Sequence, residues 1–281
     1  MDKLLLVDGS NLLFQMFFGM PARIVNRSGK AIQGTMGFVG ALLKIIRMTN
    51  PTHIAVLFDG EHENERATLN AAYKANRIDY GKLPEEQSPF TQLPDIYAAL
   101  DYLKIRRAET TVCETDDWIA GYALTYGSEI KIIISSFDSD YFQLITENIS
   151  VLRYRGVKTI ICTPDYILNN LEILPTQYAD FKSLVGDASD NIRGADKVGP
   201  KTAGLLLRKF DTFENVISNA EKIESKLIRQ SIVRNAERLR TNYKLIKLRG
   251  DVQLPFTLDE LKLVDIQSTT REVLMGIGLL P

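Results

Sequence analysis

The chain has 281 residues, is 45% hydrophobic and 25% charged, and carries 34 basic against 35 acidic side chains for a formal charge of −1. Those values fit one large globular domain or two modest ones. They exclude a membrane-spanning run, and with only Cys113 and Cys162 present they exclude a disulfide framework. The start, MDKLLLVDGSN, does not read as a signal peptide, because Asp2 and Asp8 bracket an apolar run that is too short. A reducing cytoplasm is the expected location.

Residues 3–8 predict a buried strand, followed by a helix from about Asn11 to Phe18. Residues 35–49 predict a second helix, closed by Asn50-Pro51, and 53–58 a second strand. Residues 64–77 read as a polar helix, and 78–92 as a long connection with Gly, two Pro and no apolar periodicity. A helix from Pro94 to Leu103, a strand near 104–108, a helix opening at Glu114 and a strand at 131–135 follow. Two short β-rich pieces lie near 150–154 and 157–162. Strands alternating with helices predict an α/β fold with a mostly parallel central sheet and helices on both faces. From 164 to 250 the pattern is almost wholly helical, with no further clear strand and a soft boundary near 175.

Nine carboxylates fall in five short segments of this pattern: Asp8, Asp59, Glu114/Asp116/Asp117, Asp138/Asp140 and Asp187/Asp190. Four of the segments follow strand-like runs, and in an open parallel sheet the carboxyl ends of the strands share one crevice. So many acids in one cleft resist ionising together, and hard divalent cations remove that penalty. Carboxylate oxygens suit magnesium or manganese, which points to metal-assisted phosphoryl chemistry. Taken singly, ETDD could be acids at a helix N-terminus, DSD a capped turn and GDASDN an Asx turn. Their joint occurrence at strand ends favours the metal reading. With the nine set aside, 26 acids face 34 bases, an excess of positive charge compatible with a phosphate-rich partner.

Two basic features accompany the acids. On a 64–77 helix, Arg66, Tyr73 and Arg77 would fall within roughly 40° of one another, with Lys74 on the flank. That face could hold a phosphate, with Tyr73 stacking a base. The stretch GADKVGPKTAGLLL, Gly194 to Leu207, offers a tight turn at Gly199-Pro200 opening a helix. Lys197, Lys201 and Thr202 stand beside its N-terminal N–H groups, a backbone-phosphate site that reads no sequence. It does not match the P-loop spacing.

In order, the motifs VDGSN, FDGEHENERATLNAAYKANR, ETDD, DSDYFQL, LVGDASDNI and VGPKTA resemble the 5′-nuclease family. That family holds flap endonucleases and the 5′–3′ exonuclease domain of bacterial DNA polymerase I. The resemblance runs from VDGSN at 7–11 to LRGDVQLP at 248–255. It implies a PIN-like nuclease core at 1–175 and a helical helix–three-turn–helix region at 176–281. A helical arch near 78–92 is implied over the cleft. Two Mg2+ or Mn2+ ions would be held by all nine carboxylates, and the family often binds K+ at the helix–three-turn–helix. Lys74 and Arg77 would clamp the scissile phosphate beside Asp116, a catalytic ligand. Arg66, Tyr73, Lys197, Gly199, Lys201 and Thr202 would contact DNA. The implied partner is duplex DNA with 5′ ends, flaps, nicks or gaps, bound by a monomer acting at the nucleoid in replication and repair. Gln15, Ser139 and Arg193 stand where Arg, Lys and Pro are common in the family. Lys82 in the presumed arch is outnumbered by Asp79, Glu85 and Glu86. Two rivals stay open: a PIN-like RNA-cleaving nuclease, and a non-catalytic DNA-junction binding module.

Overall fold

A computed structural model of the chain describes residues 2–20, 22–60 and 65–281. Six strands form one sheet in the order β3-β2-β1-β4-β5-β6. They are β1 (Lys3–Asp8), β2 (His53–Phe58), β3 (Arg106–Glu109), β4 (Lys131–Ser135), β5 (Ile149–Arg153) and β6 (Ile160–Cys162). All neighbours are parallel except β5 and β6, which pair antiparallel. Parallel strands are covered on both faces, so they read as continuous apolar runs rather than alternating ones. β1 shows how the two-residue period splits the core. Leu4 and Leu6 join one buried cluster with Ala55, Leu57, Ile132 and Ile134. Leu5 and Val7 join the other with Ile54, Val56 and Phe58.

Helices α1 (Gly9–Gly19), α2 (Gln33–Thr49) and α4 (Leu93–Tyr102) pack on the second face. On the first lies α5 (Thr115–Tyr126), with α6 (Pro164–Leu171). The helical region continues that same cluster through α7 (Tyr178–Val185), α8 (Pro200–Phe210), α9 (Phe213–Ser218), α10 (Lys226–Arg234) and α11 (Ala236–Ile246). One apolar core therefore joins sheet and helical region. The short α12 (Thr270–Gly276) returns to the second face through Val273. Helix α2 ends as expected, on Asn50 with φ 44° and its N–H bonded to the Ile46 carbonyl, just before Pro51. Among the described residues no helix is long and apolar enough to cross a membrane.

Three expectations need correction. The 64–77 helix is short: α3 runs Glu65–Leu69, and its expected first residue, Asn64, lies outside the described residues. Residues 71–76 are successive turns ending in a bend at 77, with Lys74 at φ 56°. The segment 78–92 is no continuous helix but three short 3-10 turns, Tyr80–Lys82, Glu85–Gln87 and Pro89–Gln92. Tyr80 rests on Phe14 and Phe18 of α1. The helical region also contains a strand pair, β7 (Gly186–Asp187) with β8 (Ile192–Arg193), too short to leave a periodic signal.

That ribbon fixes the loop bearing Asp187 and Asp190 against the end of α7. A Cβ on Gly194 would sit 2.3 Å from the backbone carbon and oxygen of Val185, whereas one on Gly199 would meet nothing within 4 Å. Gly194→Ala is therefore expected to destabilise the fold by about 1–3 kcal/mol, as overpacking against immovable backbone does. Gly199→Ala should stay within about 0.5 kcal/mol of the parent. Thermal unfolding of the two variants checks this; equal midpoints would contradict it.

Candidate active site

The carboxyl ends of β1, β2 and β4 deliver the first acids. Asp8 ends β1 and also caps α1, accepting from the Asn11 N–H at 2.9 Å. Its other oxygen accepts from Ser136 Oγ at 2.9 Å and lies 3.3 Å from the Tyr141 hydroxyl. The same hydroxyl donates to Asp116 Oδ1 at 2.5 Å, so Tyr141 bridges the two. Asp59, just past β2, accepts from the Thr115 N–H at 3.0 Å, which pins it to the first turn of α5. Glu114 is the N-cap residue of α5 but makes no capping bond; its carboxylate turns instead to Arg66, Tyr73 and Lys74. Asp138 follows β4 and accepts from the Asp140 N–H at 2.8 Å. Burial, with Asp59 adding repulsion, pushes Asp8 up to about 7. Burial and Asp138 hold Asp116 well above the ordinary carboxylate range.

A second group adjoins the first. Ligand atoms of Asp140, Asp187 and Asp190 lie within 4.8 Å of one another. Asp140 is also pushed up to about 7, by burial above all, with Asp138 adding to it and Lys182 opposing. Lys182, on α7, donates to Asp140 at 2.6 Å and also to Asp187. Asp187 is shifted the other way from Asp140: burial would raise its pKa, but Lys182 and the two bonds from Ser189 outweigh that and lower it.

Asp117 is set apart. It is wholly buried, and its Oδ1 accepts from Arg66 at 2.6 Å and from the Arg249 N–H at 2.9 Å. It holds the Arg66 side chain and the 249 backbone in place. Arg66 itself is 6% exposed and ion-paired to Glu114 and Asp117, so the expected phosphate contact is not available to it in this structure. Tyr73 is likewise 6% exposed and packs against Ala179, Ile192, Leu245 and Ile246, so it offers no face for a stacked base.

Lys74 and Arg77 do reach the acids, by a route other than a helix. The turns at 71–77 dock on the 186–193 loop. The Lys74 N–H donates to the Asp190 carbonyl at 3.0 Å, Asn76 to that of Ala188 at 3.2 Å, and Asn191 to that of Ala72 at 2.8 Å. Lys74 Nζ then meets Glu114 at 2.6 Å, and Arg77, 52% exposed, meets Asp190 at 2.6 Å. Burial works against the Lys74 ammonium, but Glu114 outweighs it and raises the pKa. The half-buried Gln15 donates its amide to the Tyr154 carbonyl at 2.6 Å. Arg193 pairs with Asp196 at 2.7 Å. The 194–199 turn leaves the same loop, tied back by Ala195 N–H to the Leu184 carbonyl, and exposes Lys197, Gly199 and Lys201, with Thr202 half-buried at the start of α8.

Two adjoining sets of oxygen donors, several of them held above their ordinary pKa by burial and mutual repulsion, fit hard divalent cations. Soft-metal ligands are absent from both sets. A family model described as the 5′-3′ exonuclease, N-terminal resolvase-like domain, matches residues 3–172. A second, the 5′-3′ exonuclease C-terminal SAM fold, matches 173–269. The chain belongs to the 5′–3′ exonuclease family. The 5′-3′ exonuclease of Aquifex aeolicus is 30% identical over 265 residues, covering 94% of this chain and 87% of that protein. Thermostable DNA polymerase I of Thermus thermophilus is 31% identical over 259 residues, 91% of this chain but only 30% of the polymerase. The chain thus spans about a third of the polymerase relatives it matches. The fold is shared with the bacteriophage T5 flap endonuclease, in a complex with DNA and metal ions, at 22% identity and a TM-score of 0.70, covering 87% of this chain and 88% of that one. The helical SAM-fold region and the mixed sheet with its helices are those of the family.

Two residues of the site, Tyr141 and Lys182, are not singled out by the sequence pattern. Tyr141 follows Asp140 directly within DSDYFQL, where nothing in the spacing separates a bridging hydroxyl from a core aromatic. Lys182 does leave a signal: a lysine inside the otherwise apolar face of YADFKSLV, a helix buried from Tyr178 to Leu184, requires a charged partner.

Asp8 and Asp140 keep protons in the folded chain up to about pH 7 that the unfolded chain has already lost above its ordinary value of 3.8. Stability of the metal-free protein therefore falls as pH rises between those values, and the full loss is present above the folded pKa. With EDTA, the melting temperature is expected to drop between about pH 5 and about pH 7.5, and Mg2+ or Mn2+ should restore it most at the upper end. A metal-free melting temperature that climbs across that window would contradict burial and repulsion as the source of the raised values.

Proposed function

We propose that the protein is a structure-specific, divalent-metal-dependent 5′-nuclease that hydrolyses DNA phosphodiesters at or near 5′ ends and flaps. The observation that carries this reading is the group Asp140, Asp187 and Asp190, whose ligand atoms lie within 4.8 Å of one another, with the half-exposed Arg77 paired to Asp190. Mg2+ or Mn2+ bound by these carboxylates would polarise the phosphate and supply an activated water. Asp8, Asp59, Glu114, Asp116 and Asp138 would hold one ion, and Asp140, Asp187 and Asp190 the other. Asp117 supports Arg66 rather than a metal.

The chain's own residues do the rest. Lys74 and Arg77, turned from Glu114 and Asp190 to the phosphate, would clamp the charge that builds there in the transition state. Lys197, Lys201 and the N–H groups at the start of α8 hold the duplex by its backbone, with K+ able to share that turn. Grip and chemistry lie on one loop, since 194–199 continues directly from Asp190. The substrates that fit are duplexes with 5′ ends, flaps, nicks or gaps, met by a monomer in replication and repair at the nucleoid. The segment 78–92, folded down on α1 as 3-10 turns, would serve as the arch only after lifting from Phe14 and Phe18.

An RNA-cleaving relative would need neither Asp187/Asp190 nor the 194–207 hairpin, and a binding module would tolerate losing acids; this chain keeps all of them. Labelled nicked, flapped and RNA duplexes, with and without Mg2+, separate the three. Cutting of flapped or nicked DNA that EDTA abolishes is expected; cutting of RNA duplex alone, or none, would overturn the reading. Asp116→Asn should cut at least about 100-fold more slowly and bind duplex as well as the parent. In single-turnover assays at saturating enzyme, Lys74→Ala should slow cutting by about 100-fold with little change in affinity. Lys201→Ala should instead weaken binding and lower the salt slope by about one unit. A Lys74→Ala variant that cuts at the parent rate but binds weakly would remove Lys74 from the chemistry.

A further inference from the structure

The second acidic group already contains a cation. Lys182 lies on α7, is 8% exposed, and cannot turn to bulk water without unpacking a helix buried from Tyr178 to Leu184. Its Nζ is 2.6 Å from Asp140 Oδ1 and is also bonded to Asp187 Oδ2. Those are two of the three carboxylates whose ligand atoms lie within 4.8 Å of one another. Burial works against the charge on Lys182, but Asp140 and Asp187 outweigh it.

The two acidic groups share their chemistry and differ in where their cations sit: of the first group's acids, Arg66 and Lys74 are bonded to Glu114 alone. Asp8 and Asp116 of the first are met by the neutral hydroxyls of Ser136 and Tyr141. Asp140 and Asp187 of the second are met by an ammonium. Arg77 also reaches the second group, at Asp190, but its half-exposed side chain is free to swing away. Lys182 has no such freedom. A dication entering beside Asp140 and Asp187 must share their oxygens with a fixed like charge or force it aside, and both oppose binding.

We propose that Lys182 is a built-in cation that offsets part of the charge of the second acidic group in the free protein and lowers its affinity for a divalent ion, so that the two sites fill unequally. The proposal rests on the metal-dependent reading above. It makes Lys182 a positioning residue, and metal binding without DNA reads it directly.

Metal-free protein is titrated with Mn2+ at constant pH, and free Mn2+ is followed by electron paramagnetic resonance. The parent should show one tight and one weak site. Lys182→Met should leave the tight site within about twofold and tighten the weak one by about tenfold or more, because a like charge has gone. Lys182→Arg, which keeps the charge, should stay close to the parent. If Lys182→Met does not fold without metal, Lys182→Gln is folded in excess Mn2+ and the ion is titrated out; the weak ion should then leave at about tenfold lower free Mn2+ than from the parent. Unchanged or weaker binding at the second site in the folded variants would overturn the proposal while leaving the metal reading intact. No Mn2+ bound by parent or variants would overturn both.

Discussion

Carboxylates crowded into a buried cleft repel one another, and the rest of the site follows from how that repulsion is met. Asp8 and Asp140 are held near pKa 7, and Asp116 well above its ordinary value, chiefly by burial with neighbouring acids adding to it. A fold selected for stability alone would not gather such groups, since each buried charge costs free energy unless paired. Protein cations answer part of the demand: Arg66 for Glu114 and Asp117, Lys74 for Glu114, Lys182 for Asp140 and Asp187, Arg77 for Asp190. Asp8, Asp116 and Asp138 accept from hydroxyls and backbone amides instead. That is where a hard dication has most to offer.

The architecture makes this convergence inexpensive in chain length. Parallel strands β1, β2 and β4 end at one edge of the sheet, so Asp8, Asp59 and Asp138 meet although 130 residues separate the first from the last. The helical region adds Asp187 and Asp190 by extending the same apolar cluster that covers one face of the sheet. The hairpin proposed to grip the duplex then departs from that very loop. A shift of that hairpin would move Asp187 and Asp190 with it, which on the proposed function would couple how DNA is held to where it is cut.

Much of this was legible in the residues. β1, β2 and β4 announced themselves as short apolar runs ending in acids, because a strand covered on both faces has no polar alternation to blur it. The same acids marked the strand ends that converge, Asp8, Asp59 and Asp138. What failed was the stretch after Asp59. NERATLNAAYKANR mixes good helix formers with Asn64, Thr68, Asn70 and Asn76, and propensity is only a weak prior against tertiary contacts. In the folded chain the bonds from Lys74, Asn76 and Asn191 between this stretch and the 186–193 loop win, and the chain turns at 71–77 instead. The helical-face reasoning for Arg66 and Tyr73 fell with it, since their burial depends on long-range partners at 114, 117 and 245 that no local pattern encodes. Tyr141 was hidden for a related reason: a residue's role as a bridge is set by what lies opposite it.

The central claim is that two distinct acidic groups at the carboxyl edge of the sheet each hold a divalent ion. Crystals grown with Mn2+ and measured at its absorption edge test it most directly. The account predicts one strong anomalous peak among Asp8, Asp59, Glu114, Asp116 and Asp138, and a weaker one among Asp140, Asp187 and Asp190. Peaks absent from both groups, or Mn2+ bound only elsewhere on the molecule, would contradict it.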